Sequence, residues 1–268
     1  MAVPRPDRVH LYRRDARQVL RALPARSIGV FLTDPPYDTV ARQATSGHLR
    51  AWFRHSLSWP EIGRALALAR ARMAPDGVAL VMTNGDGLRP AITALERAGF
   101  VRVRVITWDK RAPGLGGGLR HQTEYVLVGY LAGSRTLAGV DLVSVAAVGP
   151  GTAGRYPTQK PEALGRRLAA IAQVRPGELV VDPFCGSGAL LVGALERGAI
   201  VVGSDVATAA IKAAAARLSG GDGAASRVTG SAPQARAPSS LDGRRRRAAP
   251  TYRNSARGST KRPRRKPA

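Results

Sequence analysis

"ELVVDPFCGSGALLVGALERGAIVVGSDV", residues 178–206, decides the fold class. An apolar run ends on Asp182, a glycine-rich turn follows, a helical stretch covers Ala189–Arg197, and a second apolar run ends on Asp205. Short uninterrupted apolar runs are what strands covered on both faces require. Gly186 and Gly188 allow a tight strand-to-helix turn and a close approach of backbone to ligand. A carboxylate at Asp205 can accept hydrogen bonds from both ribose hydroxyls of an adenosine. The third glycine of a dinucleotide fingerprint would fall at Leu191, and no G-K-[ST] is present to cradle phosphates. An adenosine ligand without phosphates fits better, and S-adenosyl-L-methionine is one. A G-x-G turn alone also serves purely structural ends; Asp205 in register is what favours a cofactor. Cys185 reads as a small loop filler, since no nearby histidine would activate a thiolate.

Working outward, the same alternation fills most of the chain. Strands are predicted at Val9–Tyr12, Ile28–Thr33, Val78–Thr83, Val101–Trp108, Glu124–Leu131, Leu179–Asp182 and Ile200–Ser204. Helices are predicted at Asp15–Leu23, Pro60–Met73, Leu88–Ala98, Pro161–Val174, Ala189–Arg197 and Ala207–Leu218. This is an α/β domain with a mostly parallel, seven-stranded sheet. Val101–Tyr130 holds two strands with a Gly-rich connection and no helix, which predicts an antiparallel hairpin at one edge. Ligands of open α/β sheets bind beyond the carboxyl ends of strands. Asp34, Asp182 and Asp205 mark three such ends.

The chain has 268 residues, 44% of them hydrophobic, and a formal net charge of +24. Residues 220–268 carry 13 Lys/Arg against 2 Asp, a net of +11 that leaves +13 on residues 1–219. That tail has almost no large apolar side chains and cannot offset its ordering entropy, so it is expected to be a disordered basic arm. The expected division is a folded domain over 1–219 and a tail over 220–268. Such a surplus of positive charge favours a polyanionic partner, nucleic acid before membrane. No apolar run is long enough for a membrane span, and the first residues lack the apolar core of a secretory signal. One cysteine excludes an intramolecular disulfide, and no Cys/His cluster has zinc spacing. A cytoplasmic protein without a structural metal is expected.

The stretch FLTDPPYDTV, residues 31–40, ends a strand with an acid, two prolines and a tyrosine. The exocyclic amine of adenine or cytosine is a poor nucleophile, because its lone pair is delocalised into the ring. A site that accepts both amino hydrogens draws the nitrogen toward tetrahedral geometry and aims its lone pair at an electrophile. Asp34 offers a carboxylate acceptor and the Pro35 carbonyl a rigidly aimed second one. Neither proline carries an N–H, so no local donor is expected to compete. A base acted on in this way must leave the helix stack, and the face of Tyr37 can replace its stacking.

TDPPYD (residues 33–38), YPTQKP (156–161) and DPFCGSG (182–188), in that order, resemble the amino-group DNA methyltransferases. Catalytic motif first and cofactor motif last resembles the permuted beta class, with its single Rossmann-like methyltransferase domain. VHLYRRDARQVLRALPARSIGVFLTDPPY and WDKRAPGLGGGLRHQTEYVLVGY are similar to segments of that family too, so the likeness spans about residues 8–218. It implies that Asp34, Pro35 and Pro36 hold the target amine and that Tyr37 stacks on the flipped base. It implies that Asp182, Phe184, Gly186 and Gly188 line S-adenosyl-L-methionine and that Asp205 binds its ribose. Thr158 and Lys160 would contact the methionine end, and Asp15 would lie near the adenine or the methyl group. The partner implied is double-stranded DNA. The family pattern also allows a homodimer and a companion restriction nuclease, although no nuclease-like stretch is present.

In that family D-P-P-Y is commoner with adenine N6, and serine replaces the acid with cytosine N4. Adenine is therefore favoured and cytosine N4 is the alternative. The reading from another class is a non-catalytic nucleic-acid-binding protein on a methyltransferase-like fold; aminomethylation of RNA or protein is a third. Residues 132–155 are short for a target-recognition insert, which suggests brief sequence readout. Trp52, Phe53 and Trp59, in the long connection 38–60, read as anchors for the following helix or as aromatics that grip DNA.

Overall fold

A parallel sheet whose central strands are apolar on both faces needs a helical layer on each side, and the chain supplies one. The computed structural model describes residues 8–37, 56–114, 119–148, 159–219 and the backbone of 227–228. In chain order the elements are β1 (Val9–Arg13), α1 (Ala16–Ala22), β2 (Ile28–Thr33), α2 (Trp59–Arg72), β3 (Met73–Thr83) and α3 (Leu88–Arg97). β4 (Arg102–Asp109), β5 (Thr123–Tyr130), β6 (Leu142–Ser144), α4 (Glu162–Ile171) and β7 (Leu179–Asp182) follow. A 3-10 turn at Ala189–Leu191 leads into α5 (Val192–Glu196), then β8 (Ile200–Asp205), α6 (Thr208–Leu218) and β9 (Arg227–Val228).

All seven expected strands form, in the order β6-β4-β5-β3-β2-β7-β8-β1-β9. The sheet has nine strands because two short ones join its edges. β6 pairs outside β4, so the hairpin is not the outermost element, and β5 alone runs against its neighbours. β9 lies inside the segment expected to be disordered and pairs with β1. The remainder of the tail, residues 229–268, lies outside the described residues, as do Thr158 and Tyr156.

Side-chain alternation sorts the helices. Val30 and Leu32 of β2 face one way, into a core with Leu164 and Leu168 of α4 and Ile211 of α6. Phe31 faces the other way, against Leu20 of α1, Ile62 and Leu66 of α2, and Leu95 of α3. Every residue of β2 is buried, as its central place demands. α2 starts where Ser58, Pro60 and Glu61 give a capping sequence; the Ser58 N–H and hydroxyl both donate to Glu61 Oε2, at 2.9 and 2.8 Å. The first turn of the expected Ala189–Arg197 helix is the 3-10 turn.

At the amino ends of the strands, Arg135 pairs with Glu178, and Arg175 meets Asp76 at 2.7 Å and Glu178 at 2.9 Å. The segment read as a short recognition stretch is therefore partly structural: Arg135 clamps the bottom of the sheet, and Leu142–Ser144 extends its edge. No helix among the described residues is long and apolar enough to cross a membrane.

The chain leaves β2 toward β3 through α2, and leaves β7 toward β8 through α5, on the opposite face. β2 and β7 are adjacent and parallel. Their carboxyl ends flank the crevice where strand order reverses, the place such sheets bind ligands.

Candidate active site

Asp34 leaves β2 directly over that crevice. The two prolines that follow make the first available N–H that of Tyr37, and it turns back to donate to the Pro35 carbonyl at 2.9 Å. The expectation that no local donor competes for that oxygen is thus incorrect; a carbonyl has two lone pairs, and one is used. The Pro36 carbonyl accepts from the Leu57 N–H at 2.6 Å, so the loop is fastened to the start of α2. Tyr37 is buried, its ring stacked on Trp59 with centroids 5.9 Å apart and planes 12° from parallel. Trp59 is itself buried, which fixes the anchoring reading for that residue; Trp52 and Phe53 lie outside the described residues.

Asp34 Oδ2 meets the Lys160 ammonium at 2.9 Å, and Oδ1 is buried with no hydrogen-bond partner among the described residues. Lys160 also meets Glu124 Oε2 at 3.1 Å, and Glu124 Oε1 meets Lys110 at 3.4 Å. The Lys160 ammonium lies 5.8 Å from the centre of the Trp108 ring, whose own N–H donates to the Val145 carbonyl at 2.8 Å. Burial raises the Asp34 carboxyl above the usual range, with Glu124 adding to the rise and Lys160 opposing it. Burial would lower the Lys160 ammonium, yet Asp34 and Glu124 hold it well above its ordinary value. Burial likewise penalises ionised Glu124, but the two lysines outweigh it and the carboxyl falls below its ordinary value.

The glycine turn is tied to the end of β8. The Cys185 N–H donates to the Ser204 carbonyl at 2.9 Å, and the Ser204 hydroxyl to the Pro183 carbonyl at 3.1 Å. Asp205 accepts the Gly186 N–H on Oδ2 at 3.2 Å and the Ala207 N–H on Oδ1 at 2.8 Å. Gly186 and Gly188 have φ of 49° and 74°, the left-handed region that other residues enter only with strain. A Cβ on Gly188 would also lie 3.1 Å from that of Ala214, so this glycine lets α6 close over the turn. Asp182 is buried, accepting the Thr33 hydroxyl at 2.6 Å and the Phe184 N–H at 3.1 Å on one oxygen. Burial pushes its carboxyl up to about 7, with Asp34 and Asp205 adding repulsion. Burial also raises the Cys185 thiol, in keeping with a loop filler. Asp15 caps α1, accepting the Arg17 N–H at 2.9 Å.

Asp34, Pro35, Pro36 and Tyr37 line one side of a cleft of about 550 Å³; Asp182, Phe184, Gly186 and Asp205 line the other, with Asp15 and Lys160 also on its wall. That volume is within the range of small-molecule sites. The residues fit an adenosyl ligand: a strand-end carboxylate and an open glycine turn stand at one end, the acidic D-P-P-Y loop at the other. Gly188 acts in packing and does not line the cleft. Glu124, Lys110 and Trp108 also line it, and the sequence reading passed over them. The available signal was a glutamate opening an otherwise apolar strand.

Residues 140–216 match the family model described as DNA methylase, N6_N4_Mtase. The chain is 26% identical to the type II methyltransferase M2.DpnII of Streptococcus pneumoniae over 242 residues, covering 79% of this chain and 90% of that one. These matches support a place among the amino-group DNA methyltransferases. Solved folds agree. The M1.HpyAVI–SAM complex superposes with a TM-score of 0.57 at 19% identity, covering 78% of this chain and 99% of that one. The cytosine-N4-specific PvuII DNA methyltransferase superposes with a TM-score of 0.63 at 16% identity, covering 78% and 86%. The family match supports S-adenosyl-L-methionine as methyl donor and an exocyclic amine of DNA, adenine N6 or cytosine N4, as acceptor.

Proposed function

We propose that the acceptor is the N6 amine of an adenine flipped out of double-stranded DNA. The observation that carries this reading is Asp34 Oδ1, a buried acceptor without a partner among the described residues, at the mouth of the switch-point crevice. A buried acceptor left unmade costs free energy that a bound donor recovers. Bound S-adenosyl-L-methionine supplies a methyl group on a positively charged sulfur. Asp34 Oδ1 and the second lone pair of the Pro35 carbonyl take the two amino hydrogens. With that methyl donor bound, Asp34 would also take the one proton that the methylated amine must release. Tyr37, backed by Trp59, offers its ring to the extruded base. Asp205, Gly186 and Phe184 hold the adenosyl group, with Asp182 beneath the turn, and Asp15 stands at its adenine or methyl end.

An acid in place of serine in the catalytic tetrapeptide is what supports adenine over cytosine. The deciding experiment offers labelled cofactor with unmodified double-stranded DNA, RNA and protein, followed by nucleoside analysis. Label in N6-methyladenine is the expected result. Label in N4-methylcytosine would replace adenine with cytosine, and label confined to RNA or protein would overturn the reading.

A further inference from the structure

We infer that Lys160, anchored by Glu124, is the positioning residue for Asp34: it grips Oδ2 and thereby leaves Oδ1 turned to the target amine. This rests on the reading that Asp34 receives that amine, and it gives Lys160 a task different from contact with the methionine end of the cofactor.

An ammonium has three N–H donors and no acceptor. In this cleft two carboxylate oxygens, on Asp34 and Glu124, lie 2.9 and 3.1 Å from Lys160 Nζ, and the face of Trp108 occupies a further side. The group is spoken for. The residues come from distant parts of the chain: Lys160 precedes α4, Glu124 is the second residue of β5, and Asp34 follows β2. Pro161, at the N-cap of α4, fixes the backbone beside the lysine. Asp34, Lys160, Glu124 and Lys110 form a chain of alternating charge that sums to zero.

The groups facing Asp34 differ in what they can do for it. Glu124 on β5 repels its charge, Asp182 on β7 is itself pushed up by Asp34, and the Tyr37 hydroxyl on its own loop is held neutral by burial. Among the described residues Lys160 is the cation paired with it. Without that cation, a buried carboxyl beside Glu124 would keep its proton, and a protonated Oδ1 could not draw a hydrogen from the amine. When Asp34 takes the proton released by the methylated nitrogen, the four-residue chain becomes net positive. The proton is then readily returned to water as product leaves.

The test is a titration of Asp34 in the full chain by carboxyl-labelled aspartate NMR, its resonance assigned by loss in Asp34→Asn. Lys160→Met should raise the midpoint by about one pH unit or more, the scale of one opposite charge at this distance. Lys160→Arg should restore it, and Glu124→Gln should lower it, since a like charge is removed while the cation stays. Affinity for S-adenosylhomocysteine, by calorimetry, should be nearly unchanged in Lys160→Met. An unmoved midpoint in Lys160→Met, or a rise in Glu124→Gln, overturns the inference. So does a loss of about tenfold or more in S-adenosylhomocysteine affinity, which a lost charge-assisted bond to the ligand would produce. If Lys160→Met does not fold, the sign of the shift in Glu124→Gln decides alone. Failure of the wild type to methylate DNA would instead defeat the proposed function, and the titration remains independent of it.

Discussion

Tyr37 and Trp59 lie ring on ring, 5.9 Å between centroids, although twenty-one positions separate them in the chain. The stack joins the catalytic loop to the first turn of α2, so the tyrosine is held from behind by a buried side chain. The Trp59 N–H is buried with no partner among the described residues, so its ring and not its polar atom is what the site uses. Trp59→Phe should therefore cost little stability, whereas Trp59→Ala should cost about 3–5 kcal/mol, the range for truncating a buried tryptophan. Urea denaturation of both variants checks this. Equal losses would show that the ring stack contributes nothing.

On the proposed reading, in which the unpartnered Asp34 oxygen receives the acceptor amine, Asp34→Ala should abolish methyl transfer and leave cofactor affinity within several-fold. Single-turnover transfer with calorimetry of cofactor binding separates the two. Turnover retained in the purified variant would remove Asp34 from the chemistry.

Asp205→Ala should weaken S-adenosyl-L-methionine by about 1.5–3 kcal/mol, the range for hydrogen bonds to a charged group. The Gly186 and Ala207 N–H groups would also lose their acceptor. Asp205→Asn, which keeps one carbonyl acceptor, should fall between variant and wild type. Unchanged affinity in calorimetry would mean that the ribose is held elsewhere.

Asp182 links stability to pH. Its folded-state value is pushed up to about 7, whereas an unfolded aspartate titrates near 3.9. Between those values the unfolded chain is ionised while the folded one keeps its proton. The folded state therefore loses stability as pH rises through that window, and the loss is complete above about 7. Asp182→Asn cannot ionise and keeps an acceptor for the Thr33 hydroxyl. Relative to wild type it should gain more at pH 8 than at pH 5 in urea denaturation. Parallel pH profiles would rule out a titrating Asp182.

The basic tail should act through phosphates. Truncation after Gly230 keeps β9 and removes 12 Lys/Arg with one Asp. Log K for DNA falls with log salt by about 0.9 per phosphate contact, and the removed basic segment should supply about 4–8 of them. The truncated chain should show a flatter salt dependence and weaker binding at low salt, with unchanged transfer at saturating DNA. An identical salt slope would show that the arm does not touch DNA.

The seven main strands and six helices were legible because most of the apolar runs are uninterrupted and helical stretches alternate with them. The three strand-end acids were legible for the same reason: Asp34, Asp182 and Asp205 punctuate apolar runs. What escaped was pairing across the fold. Lys160 and Glu124 meet only because β5 reverses and returns beside β3, and nothing local marks the two as partners. The Tyr37 N–H donating to Pro35 escaped because counting missing donors on the prolines overlooked the next residue. β6 and β9, of three and two residues, carry too few side chains to show a period.

The adjacency of β2 and β7 makes the site indifferent to reading order. After α6 the chain is back where β1 begins, since β9 pairs with β1 in parallel, His10 opposite Arg227. The described strands β1 and β9 are therefore neighbours at one edge of the sheet. Cut within residues 149–158 and rejoined near β1, the same side chains would fold with the glycine turn first and the D-P-P-Y loop last. Both would still border one crevice, so the two halves of this enzyme are interchangeable cassettes, and evolution or an engineer could swap them without redrawing the cleft.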